Sequence, residues 1–300
     1  MKHDVQKILQ QWQLSHLRSF THLAMTNNYV VVAYSDLYKQ DVVLKVGPKK
    51  VIDKEIQALQ YFQGDACVKL LAFDCRFSGT NSALLLEYVQ PGNSLKDLFL
   101  HGGEEASIEI FADIVKKIQK KFDKKNHKNF KTIVERLILL YTFESKNERL
   151  AQLLLQAAKL SDQLVATQGV QYLLHGDLHH ENILKRKIDN IFGQDKGRKR
   201  DKAESENWVM IDPQGIVGEL EYEVGAFIRN PLFQLLDQPN LEQLMLYRFE
   251  RLSKLLHFDK QRMIDWSFVQ AVLAACFAQQ DQNERGQNYF LTVAELIIKL

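Results

Sequence analysis

The segments HGDLHHENIL, residues 175–184, and VMIDPQG, residues 209–215, carry the residue pattern that decides the fold of this chain. Asp177 and Asn182 lie five residues apart in a polar loop directly after an apolar run, and Asp212 follows the next apolar run. Metal-assisted phosphoryl transfer needs two carboxylates and an amide oxygen placed in this way. One carboxylate accepts the proton of an attacking hydroxyl, while an amide oxygen and a second carboxylate hold magnesium against nucleotide phosphates. The sequence therefore predicts phosphoryl transfer with a nucleotide and magnesium.

The residues before this pattern predict a small lobe rich in β-strands. Residues 29–34 and 41–46 are β-branched runs separated by a polar turn, which is the signature of an antiparallel hairpin. A short amphipathic helix is expected over residues 4–20. The turn signal at residues 91–93 marks the boundary between two lobes. Between the hairpin and this boundary we expect a helix and two strands, at 54–62, 68–73 and 83–89.

The chain after this boundary is mostly helical, so the predicted fold class is α+β. Two short apolar runs, 172–174 and 208–211, interrupt the helices, and a charged segment of unassigned role, 185–207, lies between them. Apolar residues at helical spacing mark the other elements. The helices are expected at 94–101, 107–122, 130–141, 147–168, 221–228, 241–256, 263–280 and 287–300.

The loop at 175–182 matches the kinase catalytic-loop pattern HxDxxxxN completely, with Gly176 in place of the usual arginine. This loop, followed by IDPQG, resembles the aminoglycoside phosphotransferase branch of the kinase-like fold. The stretches DPQGIVGELEYEVGAFIRNP at 212–231 and DWSFVQAVLAACF at 265–277 are most similar to its streptomycin 6-kinase and hydroxyurea phosphotransferase group. The resemblance implies a protein-kinase-like two-lobed fold, with a small antiparallel-sheet N-lobe and a large mainly helical C-lobe.

The resemblance also implies a role for each residue that matches a family motif in the catalytic region. Asp177 would be the catalytic base, and His175 would support the geometry of its loop. Asn182 and Asp212 would bind magnesium, with ATP as the nucleotide. Residues 1–90 would then form a nucleotide-binding lobe with a leading helix. Residues 91–300 would form a helical lobe with the catalytic loop and the acceptor site.

In the N-lobe, the resemblance assigns four residues to the nucleotide. Lys45, on the predicted strand DVVLKV, matches the lysine that contacts the α- and β-phosphates, and Glu55 would be its ion-pair partner at the start of the next helix. The spacing of ten positions from Lys45 to Glu55 leaves room for a strand, a turn and a helix start. Glu87 and Val89 would belong to a hinge whose backbone meets the adenine ring.

Departures from the protein-kinase pattern favour a small-molecule acceptor. No glycine precedes Gly47, so the sequence has no GxGxxG loop over the phosphates, and a turn at residues 26–28 is expected in its place. Pro213 replaces the phenylalanine of the DFG motif, and no long activation segment with an APE end follows. Gln214 stands where the family more often has a basic residue or histidine. We therefore expect an antibiotic kinase rather than a protein kinase.

The distribution of charge predicts a cationic acceptor. The net charge is +2, but residues 208–300 hold 12 acidic and eight basic side chains and offer a mildly anionic surface. We hypothesise that some of these carboxylates line an acidic pocket for ammonium or guanidinium groups. Trp266 is a candidate stacking platform, although its apolar neighbours favour plain core packing. The candidate pocket carboxylates are Glu219, Glu221, Glu223, Asp237 and Asp265.

Two other kinds of site are disfavoured. Residues 116–131 hold eight lysines, but the apolar residues beside them at helical spacing predict a solvated helix face. No aromatic side chains alternate with these lysines as stacking platforms, so nucleic acid is a disfavoured partner. A zinc site from His175, His179 and His180 is disfavoured because HHENIL lacks the second histidine of HExxH.

The remaining signals concern location and the acceptor. Three cysteines form no CxxC pair and no run of about 18 apolar residues occurs, so we expect a cytoplasmic protein without membrane contact. The leading interpretation is an ATP- and magnesium-dependent O-phosphotransferase, a streptomycin-type aminoglycoside 6-kinase that confers antibiotic resistance. A kinase of an ordinary metabolite, a sugar or amino alcohol, stays open. So do a non-catalytic nucleotide- or nucleic-acid-binding protein and the oligomeric state.

Overall fold

The structure is a computed structural model that describes residues 2–19, 28–62, 66–76, 79–119, 122, 130–187 and 207–300. The chain divides into two compact units. The first comprises Met1–Asn93 and Leu184–Asp212, and the second comprises Ser94–Ile183 and Pro213–Leu300. The predicted turn at 26–28, the lysine-rich run and the charged segment 185–207 lie wholly or mostly outside the described residues.

The first unit contains a five-stranded antiparallel sheet. The predicted hairpin is confirmed, because β2 and β3 pair from Tyr29↔Val46 to Ser35↔Gln40. Side chains alternate along a strand, so Leu44 and Val46 enter the core on one face while Lys45 points to the other face. The strands are β1 (Leu14–Ser19), β2 (Tyr29–Ser35), β3 (Gln40–Pro48), β4 (Leu70–Asp74) and β5 (Asn81–Glu87), in the sheet order β1-β2-β3-β5-β4.

Two helices cover this sheet. The first, α1 (Lys2–Gln11), buries Ile8 against the core. The predicted helix over 4–20 is wrong beyond this point, because Gln13 adopts a φ of 50° and the following residues pair with β2 as β1. The second helix, α2 (Lys49–Phe62), begins directly after Pro48, which is earlier than expected, and buries Glu55 together with its apolar face.

The segment 184–212 groups with the first unit, whereas the boundary after residue 90 assigned it to the helical lobe. The reason is backbone pairing that the strand patterns alone do not reveal. Three short strands, β6 (Pro91–Ser94), β9 (Ile183–Arg186) and β10 (Asn207–Met210), form a sheet in the order β10-β9-β6. In addition, Met210 donates to the carbonyl of Ala66 at 2.8 Å and accepts from Val68 at 2.9 Å.

The second unit is mainly helical, as expected. Its small sheet has the order β7-β11-β8 and consists of Lys131–Thr132 (β7), Ile216–Gly218 (β11) and Tyr172–Leu174 (β8). The predicted helix over 221–228 is instead a 3₁₀ turn at Leu220–Glu223 followed by one short helix. The helices are α3 (Leu95–Leu100), α4 (Glu104–Ile118), α5 (Ile133–Thr142), α6 (Glu148–Ala166), α7 (Val224–Ile228), α8 (Leu241–Leu256), α9 (Lys260–Gln280) and α10 (Glu284–Ile297).

Helix α9 lies at the centre of the second unit. It packs against α5, α6, α7, α8 and α10, and apolar residues therefore occur around its whole circumference. Trp266 on this helix is fully buried, as plain core packing predicted. Within the described ranges, none of the helices has the length and apolar character needed to cross a membrane.

Candidate active site

The three charged residues assigned to the phosphates and the metal in the first unit lie together. Nζ of Lys45 on β3 is 2.8 Å from Oε2 of Glu55 on α2 and 3.0 Å from Oδ1 of Asp212, which follows β10. Lys45 and Glu55 are buried, whereas 46% of the Asp212 side chain is exposed. Burial opposes the charge of Lys45, but the two carboxylates outweigh it and raise the lysine pKa. The lysine is therefore a fixed cation beside a carboxylate that meets solvent.

The expected hinge at Glu87 and Val89 lies at the end of β5. The Glu87 carboxylate accepts from Nη1 of Arg186 at 2.9 Å and from the amide of Lys69 at 3.1 Å, and Val89 is buried. These contacts engage the Glu87 side chain, and its backbone amide donates to the Lys69 carbonyl at 3.0 Å. The contact of this segment with the adenine ring stays a prediction.

The catalytic loop begins where β8 ends, in the second unit. Gly176 has a φ of 84°, and a Cβ there would lie 2.8 Å from Cδ1 of Ile216, so this position requires glycine. This explains why the arginine of the kinase pattern is absent. Nδ1 of the buried His175 accepts from the Asp177 amide at 3.3 Å, and Nδ2 of Asn182 donates to the Asp177 carbonyl at 3.0 Å. These contacts bring the three loop residues predicted from sequence together.

Glu223, in the 3₁₀ turn before α7, accepts hydrogen bonds from the backbone of this loop. Its fully buried carboxylate accepts from the amides of His175 at 2.6 Å and Gly176 at 3.1 Å. Burial raises the pKa of Glu223 to about 7, assisted by the charge of Asp177 and opposed by the two amides. Glu223 is therefore a support of the loop and not a surface carboxylate.

The Asp177 carboxylate is held at both oxygens. Nη2 of Arg229, which ends α7, lies 2.9 Å from Oδ1, and Nε2 of Gln214 donates to Oδ2 at 3.2 Å. Burial alone would raise the pKa of Asp177, but the positive fields of His179, Arg229, His175 and Arg136 outweigh it and lower that pKa. An ionised, oriented carboxylate is the state that a proton acceptor requires.

Asp177 lines a cavity of about 320 Å³ in the second unit. One wall is polar and combines carboxylates with two guanidinium groups and a histidine. The apolar wall comes from α9, α10 and the segment after α7. The polar wall includes Arg136, His179, Glu181, Gln214, Arg229 and Asp281, and the apolar wall is formed by Leu232, Leu273, Ala274, Phe277, Ala278 and Phe290.

Comparison with known families identifies the chain. The family described as aminoglycoside/hydroxyurea antibiotic resistance kinase matches residues 16–282. The chain belongs to this family. The family resemblance inferred from the sequence is therefore confirmed, and so is the predicted enzyme class, a phosphotransferase that acts on an alcohol group, at the level of the family.

Two curated relatives of this kinase are named as streptomycin kinases. The streptomycin 3''-kinase of Klebsiella pneumoniae is 32% identical over 125 residues, so the match covers 40% of this chain and 40% of that protein. The streptomycin 6-kinase of Streptomyces glaucescens is 20% identical over 255 residues, which cover 83% of this chain and 74% of that protein.

Solved structures confirm the protein-kinase-like fold. An aminoglycoside phosphotransferase APH(4)-Ia in complex with ADP and hygromycin B has a TM-score of 0.68 at 14% identity, covering 98% of this chain and 97% of that one. The choline kinase LicA from Streptococcus pneumoniae has a TM-score of 0.67 at 13% identity, covering 100% and 99%.

The prediction of which carboxylates line the acidic pocket of this kinase is wrong. Glu219 is buried and pairs with Arg262 and Trp266, and Glu223 supports the catalytic loop. The carboxylates that line the cavity are Asp177, Glu181 and Asp281, and none of the five candidates is among them. The excess of acidic residues in 208–300 therefore did not identify the pocket. Carboxylates that are buried or paired within the protein contribute to this excess without lining the cavity.

Two arginines at the site were not predicted. Arg136 lies on α5, and its guanidinium donates to the Gly176 carbonyl at 3.0 Å and to Oε1 of Gln214. Arg229 lies within the stretch that carries the family resemblance, but no local spacing singles it out. The one sequence feature that pointed to this region was Gln214, because the family more often has a basic residue or histidine there.

The histidines of the loop take different places. His180 is fully buried and stacks on Phe227, with ring centroids 4.4 Å apart, and Phe99 meets it edge-on. His179 lines the cavity. Across the residues that the structure describes, no three histidine, cysteine, aspartate or glutamate side chains are grouped so that they could hold a metal. Packing against Phe227 and Phe99 accounts for the position of His180, whereas His179 lines the cavity.

Proposed function

We propose that this kinase transfers the γ-phosphoryl group of ATP to the 6-hydroxyl of a streptomycin-type aminoglycoside and thereby confers resistance. The observation that carries the proposal is the Asp177 carboxylate, oriented at both oxygens and lining a cavity of about 320 Å³. Streptomycin is chosen because both curated relatives are streptomycin kinases. The 6-hydroxyl is chosen because the 6-kinase matches the larger part of this chain.

In this proposal, ATP and magnesium are bound by residues that suit them chemically. Mg²⁺ usually takes one or two protein oxygens together with phosphate oxygens and water, and not a cage of side chains. Asp212 offers a half-exposed carboxylate, and Asn182 offers its amide oxygen because Nδ2 already donates to Asp177. Bound magnesium would neutralise phosphate charge. Lys45, held by Glu55, would meet the α- and β-phosphates.

The chemistry assigned to Asp177 is proton acceptance. The acceptor hydroxyl donates its hydrogen bond to this carboxylate, and its oxygen attacks the γ-phosphorus. The new bond joins that oxygen to phosphorus, the bond from phosphorus to the β,γ-bridging oxygen breaks, and the hydroxyl proton passes to Asp177. ADP leaves with the bond electrons, so the protein contributes mainly orientation and electrostatic stabilisation.

The two walls of the cavity suit an acceptor with unlike faces. Asp281 can pair with ammonium or guanidinium groups, and so can Glu181, whose Oε1 also accepts from Nζ of Lys96 at 2.8 Å. Phe277 and Leu273 offer an apolar surface to a sugar or cyclitol ring. The cavity also holds Arg136 and Arg229, so the acceptor is selected by local pairing and not by a uniformly negative field.

The test is mass spectrometry of streptomycin incubated with the purified protein, ATP and magnesium, beside the Asp177→Asn variant. We expect a gain of one phosphoryl group with the wild type, and fragmentation should place it on the 6-hydroxyl. Asp177→Asn should lose nearly all turnover while ATP binding persists, and retention of more than about a tenth of turnover would reject the base assignment. Magnesium-dependent ATP hydrolysis without streptomycin modification would favour a metabolite kinase.

A further inference from the structure

Gln214 forms a neutral link between a guanidinium group and the Asp177 carboxylate. Its Oε1 accepts from Nη2 of Arg136, and its Nε2 donates to Oδ2 of Asp177 at 3.2 Å. Its backbone amide donates to the His175 carbonyl at 2.9 Å. Gln214 is itself exposed at the cavity, so water can also hydrogen-bond to its side chain. The two polar partners are what hold this side chain in place.

The orientation of this amide follows from the chemistry of its neighbours. A guanidinium group only donates hydrogen bonds and an ionised carboxylate only accepts them, so the amide oxygen must face Arg136 and the NH₂ group must face Asp177. Arg136 is itself anchored, because Nη1 donates to the Gly176 carbonyl at 3.0 Å. The position of the Asp177 carboxylate is thus coupled to helix α5.

The two oxygens of Asp177 are held with unequal strength. Oδ1 receives a charge-assisted bond from Arg229, whose own orientation is set by Gln270 at 2.9 Å. Oδ2 receives a weaker bond from a neutral amide, and Nε2 of His179 lies 4.0 Å from it. Oδ2 is therefore the oxygen without a guanidinium partner, and its orientation depends on Gln214.

We propose that Arg136 and Gln214 form a positioning pair that aims Oδ2 of Asp177 at the acceptor hydroxyl, while Arg229 holds Oδ1. The pair takes the place of the basic residue expected at position 214. A cation at that position would pair with Oδ2 directly. The proposal rests on the proposed function in one respect, namely that Asp177 is the base.

Steady-state kinetics of two variants at position 214 test the pair. Gln214→Glu keeps the partner of Arg136 but can no longer donate to Asp177, and Gln214→Met keeps the length without either contact. Both should lower kcat about 10- to 100-fold with the KM for ATP within about twofold, because misplacement of a reacting group affects turnover and not nucleotide binding. Phe277→Leu, on the apolar wall, is the matched control and should change the acceptor KM more than kcat.

The coupling between the two residues is tested with Arg136→Met and with the double variant Arg136→Met/Gln214→Met. If the residues act as one unit, the double variant loses no more turnover than the worse single variant. Losses that multiply, or an unchanged kcat in Gln214→Met, would overturn the proposal. Thermal unfolding of each variant separates loss of positioning from loss of fold.

Crystal structures of the wild type and the Gln214→Glu variant test whether residue 214 positions Asp177, and this test needs no measurement of activity. The two carboxylates of this variant repel, so Asp177 should rotate away from position 214. An Asp177 carboxylate that stays in place in the variant would contradict the proposal. If the wild type phosphorylates no acceptor, the proposed function fails, and this comparison still tests the positioning pair.

Discussion

Among single residues, Glu223 combines burial with a structural task at the catalytic loop. Its carboxylate accepts two backbone amides of the loop and has a pKa of about 7, against 4.5 for an ordinary glutamate. Between these two pH values the folded protein keeps a proton that the unfolded chain has released. Its contribution to the free energy of unfolding is therefore complete below pH 4.5 and is lost as the pH rises to about 7.

Glu223→Gln should remove this pH dependence. As the pH rises from 4.5 to 7, the free energy of unfolding of the wild type should fall relative to that of the variant, by about 1–3 kcal/mol. Urea denaturation at several pH values measures the difference. Glu242→Gln, at an exposed position on α8, controls for the loss of a carboxylate elsewhere. A difference between wild type and Glu223→Gln that does not vary with pH would contradict this assignment.

At the scale of elements, Glu219 ties three parts of the second unit together. Its carboxylate lies beside the 3₁₀ turn and accepts from Nε of Arg262 on α9 at 2.6 Å, and from the indole of Trp266 on the same helix. Arg262 also donates to the Leu164 carbonyl on α6 at 2.7 Å. This one ion pair therefore links α6, α9 and the turn that carries Glu223.

Arg262→Met should be strongly destabilising, because it leaves the Glu219 carboxylate buried without its cation. We expect a loss of about 2–4 kcal/mol in the free energy of unfolding, measured by chemical denaturation. Adding Glu219→Gln should recover part of this loss, since the stranded charge is then removed. Equal and additive losses from the two substitutions would show that the ion pair is not the link.

At the scale of the whole molecule, the two units hold different parts of the proposed chemistry. The first unit contains Lys45, Glu55 and Asp212, and the second contains Asp177, the cavity and Asn182, the other proposed magnesium ligand. Nucleotide binding and proton acceptance should be separable by substitution, because Asp177 is assigned neither to the phosphates nor to the metal.

Calorimetry with ATP tests this separation. ATP with magnesium should raise the unfolding temperature of both the wild type and Asp177→Asn, with about 2.7 kcal/mol of stabilisation when the ligand is at 100 times its Kd. Asp212→Asn should lose the part of this shift that EDTA removes from the wild type. An undiminished magnesium-dependent shift in Asp212→Asn would contradict its assignment as a metal ligand.

Local patterns in the sequence were sufficient for much of the architecture. The hairpin of β2 and β3 and most helices of the second unit follow from periods of two and 3.6 residues. The pairing of Lys45 with Glu55 is what the family resemblance implied. The spacing of Asp177 and Asn182 in a loop after a strand was also readable, because both residues belong to one short segment whose geometry is set by its own turns.

Only the tertiary structure decided which distant groups surround Asp177. Arg229 lies 52 residues away in the chain, and Arg136 comes from another helix, so no local period encodes either contact. For the same reason the acidic residues of 208–300 could be counted but not placed, and Glu219 and Glu223 proved to be buried supports. Contacts between distant elements depend on how helices and strands pack, and packing is a property of the folded chain as a whole.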